Sequence, residues 1–264
     1  MRCGVWIGMI LAGAMPMGAG AAEAGGECSV YVGTKITTTD FDTVYARLPN
    51  VAPKDDYESQ EEYQKRLDTA NSTADINPVF VRVNLRPGLS YDPDKKMLRV
   101  YRHNFGIGQT NFREVLKLPY ERGADTFSNA IRFTVSSVDT GTETYTASNG
   151  FGAQFQVEKT YRTVGAVFER SGEIGKSPIV EMKGFGPLLF PMPPERARAI
   201  VEQGGPALLI IPKAPFRADG LSRVMPSYRF RMDISKIVRV IHADIRCAFL
   251  LDDQQTVFAA FTVR

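Results

Sequence analysis

Two histidines are the first residues to consider for chemistry, and His242 is the more informative of them. His242, Asp244 and Arg246 alternate along a predicted strand, so their side chains share one face. An imidazole beside a carboxylate can act as a general base, which makes His242 and Asp244 candidate catalytic residues. Any solvated strand face gives the same spacing, and we favour that interpretation. The other histidine, His103, is isolated, so the chain cannot supply three histidines to a zinc ion.

Other patterns that suggest a ligand are incomplete. Residues 171–177 resemble a phosphate-binding loop, but Arg170 occupies a position that requires glycine, and Pro178 follows where a helix should begin. Asp92 and Asp94 could be proposed as calcium ligands, yet turn chemistry explains both. The sequence contains no G-x-S-x-G or S-x-x-K motif for a serine nucleophile. We therefore predict no cofactor and no metal ion.

The first 24 residues have the organisation of a secretory signal peptide. Arg2 gives a positive end, residues 5–11 form a short apolar run, and Ala22-Glu23-Ala24 fits an A-x-A cleavage site. The apolar run is shorter than the roughly 20 residues that cross a bilayer. We expect residues 25–264 to fold as a periplasmic or secreted protein that is not integral to a membrane. A flexible cytoplasmic extension is the alternative.

Export would leave two cysteines in an oxidising compartment. Cys3 is lost with the leader, so Cys28 and Cys247 are the predicted disulfide pair. Residues 29–34 are predicted to form a first strand, which the disulfide would join to a late one. Two unrelated buried thiols are the alternative.

Charge is unevenly distributed, although the formal net charge is only +3. Acidic residues outnumber basic ones in residues 40–77, and the reverse holds in residues 79–122. We interpret this as attraction between the two segments within the fold. The alternative is a basic surface for an anionic envelope polymer, an acidic partner or lipid headgroups. The candidate binding residues of that surface are Arg82, Arg86, Lys95, Lys96, Arg99 and Arg102. No nucleic-acid-binding module is present, and nucleic acid is not an expected partner.

Alternation of apolar and polar residues predicts that strands dominate the chain. Residues 130–169 have the pattern of a β-meander, with Asn149-Gly150 as a hairpin signal. The apolar positions change phase along its last strand, which predicts a bulge or bend near residues 163–165.

Two helices are predicted beside these strands. The first begins near Ser59, which has capping-box spacing to Glu62, and the second runs from Pro194 to Gln203 and ends at Gly204. The predicted fold class is α+β, a predominantly antiparallel sheet of meanders and hairpins with two short helices packed on it. A candidate subdomain boundary lies near residues 122–128.

These features favour an exported, non-catalytic binding or interaction protein over an enzyme. An accessory subunit of an envelope assembly would share them, as would an inhibitor or immunity factor. The expected partner is an envelope or secreted protein, or an anionic envelope polymer. The alternative is a hydrolase acting on a cell-wall or polymeric envelope substrate, with His242 and Asp244 in a cleft.

Overall fold

The structure is a computed structural model that describes residues 27–74, 76–85, 89–105, 130–170, 187–227 and 229–263. The predicted signal peptide and the candidate boundary near residues 122–128 lie outside these ranges. The described helices are α1 (Phe41–Arg47), α2 (Gln60–Thr73) and α3 (Pro194–Gln203). The described strands are β1 (Val79–Arg82), β2 (Ser90–Asp92), β3 (Met97–Val100), β4 (Ala130–Ser148), β5 (Gln154–Arg170), β6 (Leu188–Pro191), β7 (Gly205–Val224), β8 (Met232–Leu251) and β9 (Val257–Thr262).

Six of these strands form one mixed sheet in the order β1-β7-β8-β5-β4, and β9 also pairs with β8. Strand β8 is central: β7 runs antiparallel along one edge, while β5, which is parallel, and β9 share the other. Strands β2, β3 and β6 form a separate antiparallel sheet. The prediction of an α+β fold with mainly antiparallel pairing is confirmed. Within the described ranges, no helix is both long enough and apolar enough to cross a bilayer.

The largest hydrophobic core lies on one face of the mixed sheet, which we call the core face. Phe133 and Ile241 line it from the sheet, Ile200 from helix α3, and Leu98 from the small sheet. A second core, around Cys247, lies on the opposite face of β7 and β8. Helices and the small sheet therefore cover one end of the long strands.

Both predicted helices are present with the predicted boundaries. The hydroxyl of Ser59 accepts a hydrogen bond from the backbone N–H of Glu62 at 3.1 Å, and the Glu62 carboxylate accepts from the backbone N–H of Ser59 at 2.8 Å. Helix α3 begins at Pro194 and has Gly204 at its C-cap. The capping box and the proline in the first helical turn were therefore sufficient to predict where these two helices begin.

Helix α1 is a third helix that the sequence did not predict. Its N-cap residue, Asp40, makes no side-chain cap hydrogen bond, and the helix has only seven residues. The ring of Phe41 lies over Gly165, where an added Cβ would approach it within 2.5 Å. So short a helix is marginal alone, and packing on the sheet stabilises it.

The expected disulfide joins Cys28 to Cys247, with the two Cα atoms 5.8 Å apart. The segment beside the disulfide is not a strand, because Glu27–Tyr31 forms a 3₁₀ helix. The ring of Tyr31, its last residue, contacts the ring of Phe80 edge-on. The prediction of a strand at residues 29–34 is therefore wrong. Packing around the disulfide overrides the β-propensity of the local residues.

In the β4–β5 pair, the extra residues of the register irregularities lie in β4. Val135 is an extra residue opposite the Gly165–Ala166 step of β5, and Thr140 is another, opposite Tyr161–Arg162. An irregularity is thus present beside the predicted position, residues 163–165 of β5. The extra residue, Val135, belongs to β4 and not to β5. Alternation in one strand reports a change of phase without showing which strand carries the bulge.

Removing the disulfide should lower the free energy of unfolding, because the unfolded chain regains the freedom that a bridge across 219 positions removes. The chain-entropy model puts this loss on the order of 4–5 kcal/mol. Urea unfolding of a chain of residues 25–264 with and without dithiothreitol measures it. Reductant should not affect the control, Cys28→Ala/Cys247→Ala. An unchanged midpoint after verified reduction of the wild type would contradict this role.

Gly165→Ala should destabilise the protein by about 1–3 kcal/mol, the usual range for an overpacked site. The new methyl group would meet the Phe41 ring and the Ser136 hydroxyl at 2.5 Å. Gly141→Ala is the matched control, because its Cβ would lie an ordinary 3.8 Å from Tyr161. If urea unfolding shows equal losses for the two variants, the contact with Phe41 does not fix α1.

Candidate functional site

Beside helix α1, the core face of the mixed sheet is open to solvent. Helix α1 lies over a cross-strand row made up of Asp219, Arg239, Gly165 and Ser136. The next row on the same face consists of Leu221, Ile237, Thr163 and Val138, and the row after it of Arg223, Ser235, Tyr161 and Gly141. Leu221 is 76% exposed, Val138 57% and Ile237 49%. Apolar side chains therefore face solvent next to the covered part of the sheet.

These two open rows border a groove of about 590 Å³, which we call the sheet groove. It is lined by Thr140, Tyr161, Arg162, Leu221, Ser222, Arg223, Ser235, Lys236 and Ile237. Side chains alternate along a strand, so Leu221, Ile237 and Tyr161 project from the core face. Ser222, Lys236 and Arg162 lie between the two rows, so their backbone forms the floor and their side chains project from the opposite face. Of the basic residues in the lining, Arg223 is the one whose side chain projects from the core face.

A buried carboxylate holds Arg223 at the edge of the sheet groove. Asp233 is fully buried, and it accepts hydrogen bonds from Nε and Nη2 of Arg223 at 2.9 and 2.5 Å. The hydroxyl of Tyr145 donates to the same carboxylate at 3.0 Å. The Arg223 side chain is 48% exposed. Its guanidinium therefore links the buried acid to the solvent side of the sheet.

The pKa of Asp233 lies below its ordinary value of 3.8, because Arg223 hydrogen-bonds to the ionised form and outweighs the opposing effect of burial. Burial, together with the hydrogen bond to Asp233, raises the pKa of Tyr145. An ionised carboxylate whose oxygens are already occupied is poorly suited to act as a general base. Asp233 instead orients Arg223.

Tyr161 is fixed by a second set of polar contacts. Its hydroxyl donates to Glu143 at 2.8 Å, and Lys159 Nζ lies 2.9 Å from the same carboxylate. The ammonium group is also 4.5 Å from the centre of the Tyr161 ring. Hydrogen bonds with Tyr161 and Glu143 raise the pKa of Lys159, and the bond from Lys159 lowers the pKa of Glu143. These contacts fix the Tyr161 ring at one side of the sheet groove.

The candidate catalytic residues lie elsewhere on β8. The His242 ring packs edge-on against Phe168, with ring centroids 5.5 Å apart. Asp244 forms ion pairs with Lys213 and, at 3.6 Å, with Arg246. Neither His242 nor Asp244 lines the sheet groove. Within the described part of the chain, no group of three potential metal-binding side chains is close enough to hold an ion.

The structure describes the side chains of four of the six candidate basic residues. Arg82 donates to the backbone oxygens of Gln203 and Gly204 at the end of α3, and Arg99 pairs with Asp92. Lys95 and Lys96 are exposed in the turn between β2 and β3. Arg86 and the side chain of Arg102 lie outside the described residues.

The attraction predicted between residues 40–77 and 79–122 is not formed by ion pairs of the described residues. Arg66 pairs with Glu58 inside the first segment, and Arg99 pairs with Asp92 inside the second. Asp42 pairs with Arg239, which belongs to neither segment. The ion pairs described for these segments are therefore made within each segment or with the mixed sheet, and residues 106–122 lie outside the described ranges.

Sequence reasoning missed the sheet groove because alternation around residue 233 is misleading. Apolar Met232 and polar Asp233 suggest that the methionine is inside, yet Met232 is 40% exposed and Asp233 is fully buried. Only the hydrogen bonds from Arg223 and Tyr145 make that burial favourable, and they depend on other strands. Leu221, an apolar residue in a polar run, was the one local signal available.

Comparisons with known proteins assign no family to this geometry. No protein-family model, curated protein or solved structure shows significant similarity to the chain. Its residues and their arrangement are therefore the basis for any functional conclusion.

Asp233→Asn should lower the free energy of unfolding at pH 7 by about 1.5–3 kcal/mol, the range for hydrogen bonds to charged groups. The folded-state pKa of Asp233 is depressed, so its contribution is fully present above the unfolded value of 3.8 and is lost as pH falls through the folded value.

Urea unfolding at several pH values tests this. The difference between wild type and Asp233→Asn should be constant from about pH 7 to 5 and shrink below about pH 4. Asp253→Asn, in the exposed turn after β8, is the control. A difference that does not vary with pH would contradict an ionised Asp233 in the folded protein.

Proposed function

We propose that this protein is an exported, periplasmic or secreted, non-catalytic binding protein whose sheet groove holds another envelope protein or a secreted protein. The leader-like first 24 residues and the disulfide between Cys28 and Cys247 support the location. An accessory subunit of an envelope assembly or an inhibitor or immunity factor would act through a surface of this kind.

The observation that carries this proposal is the exposed apolar row on the core face. Leu221 on β7 and Ile237 on β8 are cross-strand neighbours. The Leu221 side chain is largely exposed to solvent, and that of Ile237 is half exposed. Contiguous exposed apolar residues rimmed by polar groups are typical of interaction sites. Burying such a side chain contributes roughly 25 cal/mol per Å² of apolar surface, which gives a partner a reason to dock here.

Several features favour binding over catalysis. Three carboxylates around the sheet groove are engaged in ion pairs: Asp139 with Arg162, Asp233 with Arg223 and Glu143 with Lys159. Tyr145 and Tyr161 also donate to Asp233 and Glu143, respectively. A bound and ionised acid is not free to accept a substrate proton. The hydrolase alternative gains no support from Asp244, which is ion-paired among the described residues.

A protein partner is also favoured over an anionic polymer. The sheet groove is largely apolar at Leu221, Ile237 and the ring of Tyr161, whereas a polymer of repeating negative charge would need a continuous basic track. Arg82 and Arg99, which could have contributed to such a track, are held by internal acceptors.

Leu221→Asp/Ile237→Asp should abolish capture of the native partner. Placing two carboxylates on the apolar row removes the buried surface and leaves charges that a docked partner would desolvate. The tagged full-length chain should be expressed with its leader in the source organism, and the protein that co-purifies with wild type should be quantified.

Tyr57→Asp is the matched control, because Tyr57 is 98% exposed and lies far along the chain from these strands. We expect the partner to be lost from Leu221→Asp/Ile237→Asp and retained by Tyr57→Asp, with both variants folded by circular dichroism. Retention by the groove variant would contradict the proposed site.

A further inference from the structure

We propose that one end of the long strands attaches this protein reversibly to the surface of a lipid bilayer that contains anionic headgroups. That end, which we call the distal end, consists of residues 144–157 of the β4–β5 hairpin and residues 225–231 between β7 and β8. This inference goes beyond the proposed function, because none of these residues lines the sheet groove.

Strand pairing brings the two segments to the same end of the mixed sheet. Strands β5 and β8 are parallel, and their first paired residues are Glu158 and Met232. The hairpin turn precedes β5 and the β7–β8 loop precedes β8, so both segments extend past that pair. Helix α3 lies at the opposite end, where its C-cap, Gly204, is next to the backbone of Leu251, the last residue of β8.

The hairpin arm projects beyond β8 and carries no charge. Four residue pairs of β4 and β5 lie beyond Glu158, the last of them Ser148–Gln154. At about 3.3 Å for each pair, they extend about 13 Å past the first residue of β8. Residues 144–157 contain no charged side chain, and the first charges, Glu143 and Glu158, lie at the base of the arm.

The turn of the arm is ordered in a conformation that presents Phe151 to solvent. Oδ1 of Asn149 accepts hydrogen bonds from the backbone N–H groups of Phe151 and Ala153, both at 3.0 Å. Gly152 has a φ of +82°, a left-handed conformation that glycine adopts readily. Phe151 is 98% exposed. An apolar ring on an ordered turn loses little conformational entropy when it enters an apolar environment.

The β7–β8 loop adds apolar side chains at the base of the arm. Its turn is closed by two backbone hydrogen bonds between Ser227 and Phe230, at 2.8 and 3.1 Å. Met225 is largely exposed, and Phe230 is half exposed. The backbone N–H of Glu158 donates to the carbonyl oxygen of Arg231 at 3.1 Å, which fixes the loop to the arm.

Apolar exposure at the distal end is not confined to one face of the sheet. Phe151 projects from the tip, whereas the half-exposed Met232 projects from the face opposite Ile237, because side chains alternate along β8. A docked protein covers one side of such an end, but a bilayer surrounds every side chain that enters it. Exposed apolar clusters mark both kinds of site, and this arrangement favours the bilayer.

The charges of the distal end match an anionic surface. Arg229 and Arg231 are exposed, and residues 144–157 and 225–231 contain no acidic residue. Basic side chains close to a membrane are attracted by anionic headgroups. Aromatic side chains are enriched at the boundary between headgroups and hydrocarbon. The combination of exposed phenylalanines with arginines therefore suits a bilayer surface.

The backbone limits how deeply the arm can insert. Among the described residues, β4 and β5 pair only with each other beyond Glu158, so their outer edges keep backbone groups without strand partners. Hydrocarbon does not accept such edges. The headgroup layer on each side of a bilayer is about 5–7 Å thick, and the uncharged arm is longer than that. The arm therefore lies among headgroups, with the Phe151 ring at the edge of the hydrocarbon.

A tryptophan at the tip tests this insertion. The single tryptophan of the sequence is Trp6, so a chain of residues 25–264, which includes every described residue, has none. Phe151→Trp is the reporter, and Tyr57→Trp, at a position that is equally exposed, is the control. Vesicles of phosphatidylethanolamine and phosphatidylglycerol should shift the emission of Phe151→Trp to shorter wavelength, and brominated acyl chains should quench it. Tyr57→Trp should show neither effect.

Co-sedimentation with the same vesicles separates the apolar from the electrostatic contribution. Phe151→Ser should weaken binding about tenfold, because the ring no longer leaves water. Arg229→Gln should weaken it about fivefold. Tyr57→Ser and Lys95→Gln change exposed residues elsewhere and should bind as the wild type does. Circular dichroism shows whether each variant, with its disulfide intact, is folded.

Four results would overturn this inference. They are an unchanged emission of Phe151→Trp at millimolar lipid, equal changes in Phe151→Trp and Tyr57→Trp, equal binding to vesicles of phosphatidylcholine alone, and loss of a co-purifying protein from Phe151→Ser without any vesicle binding by the wild type. The last result would show that the tip docks into a protein. None of them bears on the sheet groove, which Leu221→Asp/Ile237→Asp tests separately.

Discussion

The structure depends on a mismatch between the length of its central strands and the helices that cover them. Strands β7 and β8 have 20 residues each and β5 has 17, far more than the usual strand of about 5–6. Helix α1 has seven residues and covers one cross-strand row of that sheet. The strands therefore extend past their apolar cover, and the core face continues into solvent with Leu221 and Ile237 on it.

Polar contacts between neighbouring strands stabilise the part of the sheet that lies beyond the core. Arg162 pairs with Asp139 on β4, Lys159 with Glu143 on β4, and Arg223 on β7 with Asp233 on β8. Opposite charges placed across strands support pairing where little apolar surface is buried. These pairs also fix the side chains around the sheet groove. A surface that is already ordered loses less conformational entropy when a partner docks.

Features of the fold with local signals were predictable from the sequence. Ser59 and Glu62 define a capping box, Pro194 begins a helix, and Cys28 and Cys247 form the expected pair. Helix α1 lacked such a signal, because the contact of Phe41 with Gly165 joins residues far apart in the chain. The parallel pairing of β5 with β8 was equally hidden, since alternation describes a strand and not its neighbour.

The candidate site was hidden for the same reason. The burial of Asp233 requires Arg223 and Tyr145, which come from two other strands, and neither partner can be identified from spacing. Composition and charge pointed instead to Arg82 and Arg99, which the fold uses for internal contacts. The surface proposed for binding combines side chains of neighbouring strands, so the pattern of any one strand could not reveal it.

The exposed row beside α1 is proposed to contact a partner protein in the cell. Site-specific photo-cross-linking in intact cells tests this most directly, with the photoreactive substitution Ile237→p-benzoylphenylalanine in the full-length chain and Tyr57→p-benzoylphenylalanine as its counterpart. We expect one defined protein adduct from position 237 and none of that species from position 57. No adduct from position 237, or the same adducts from both positions, would contradict it.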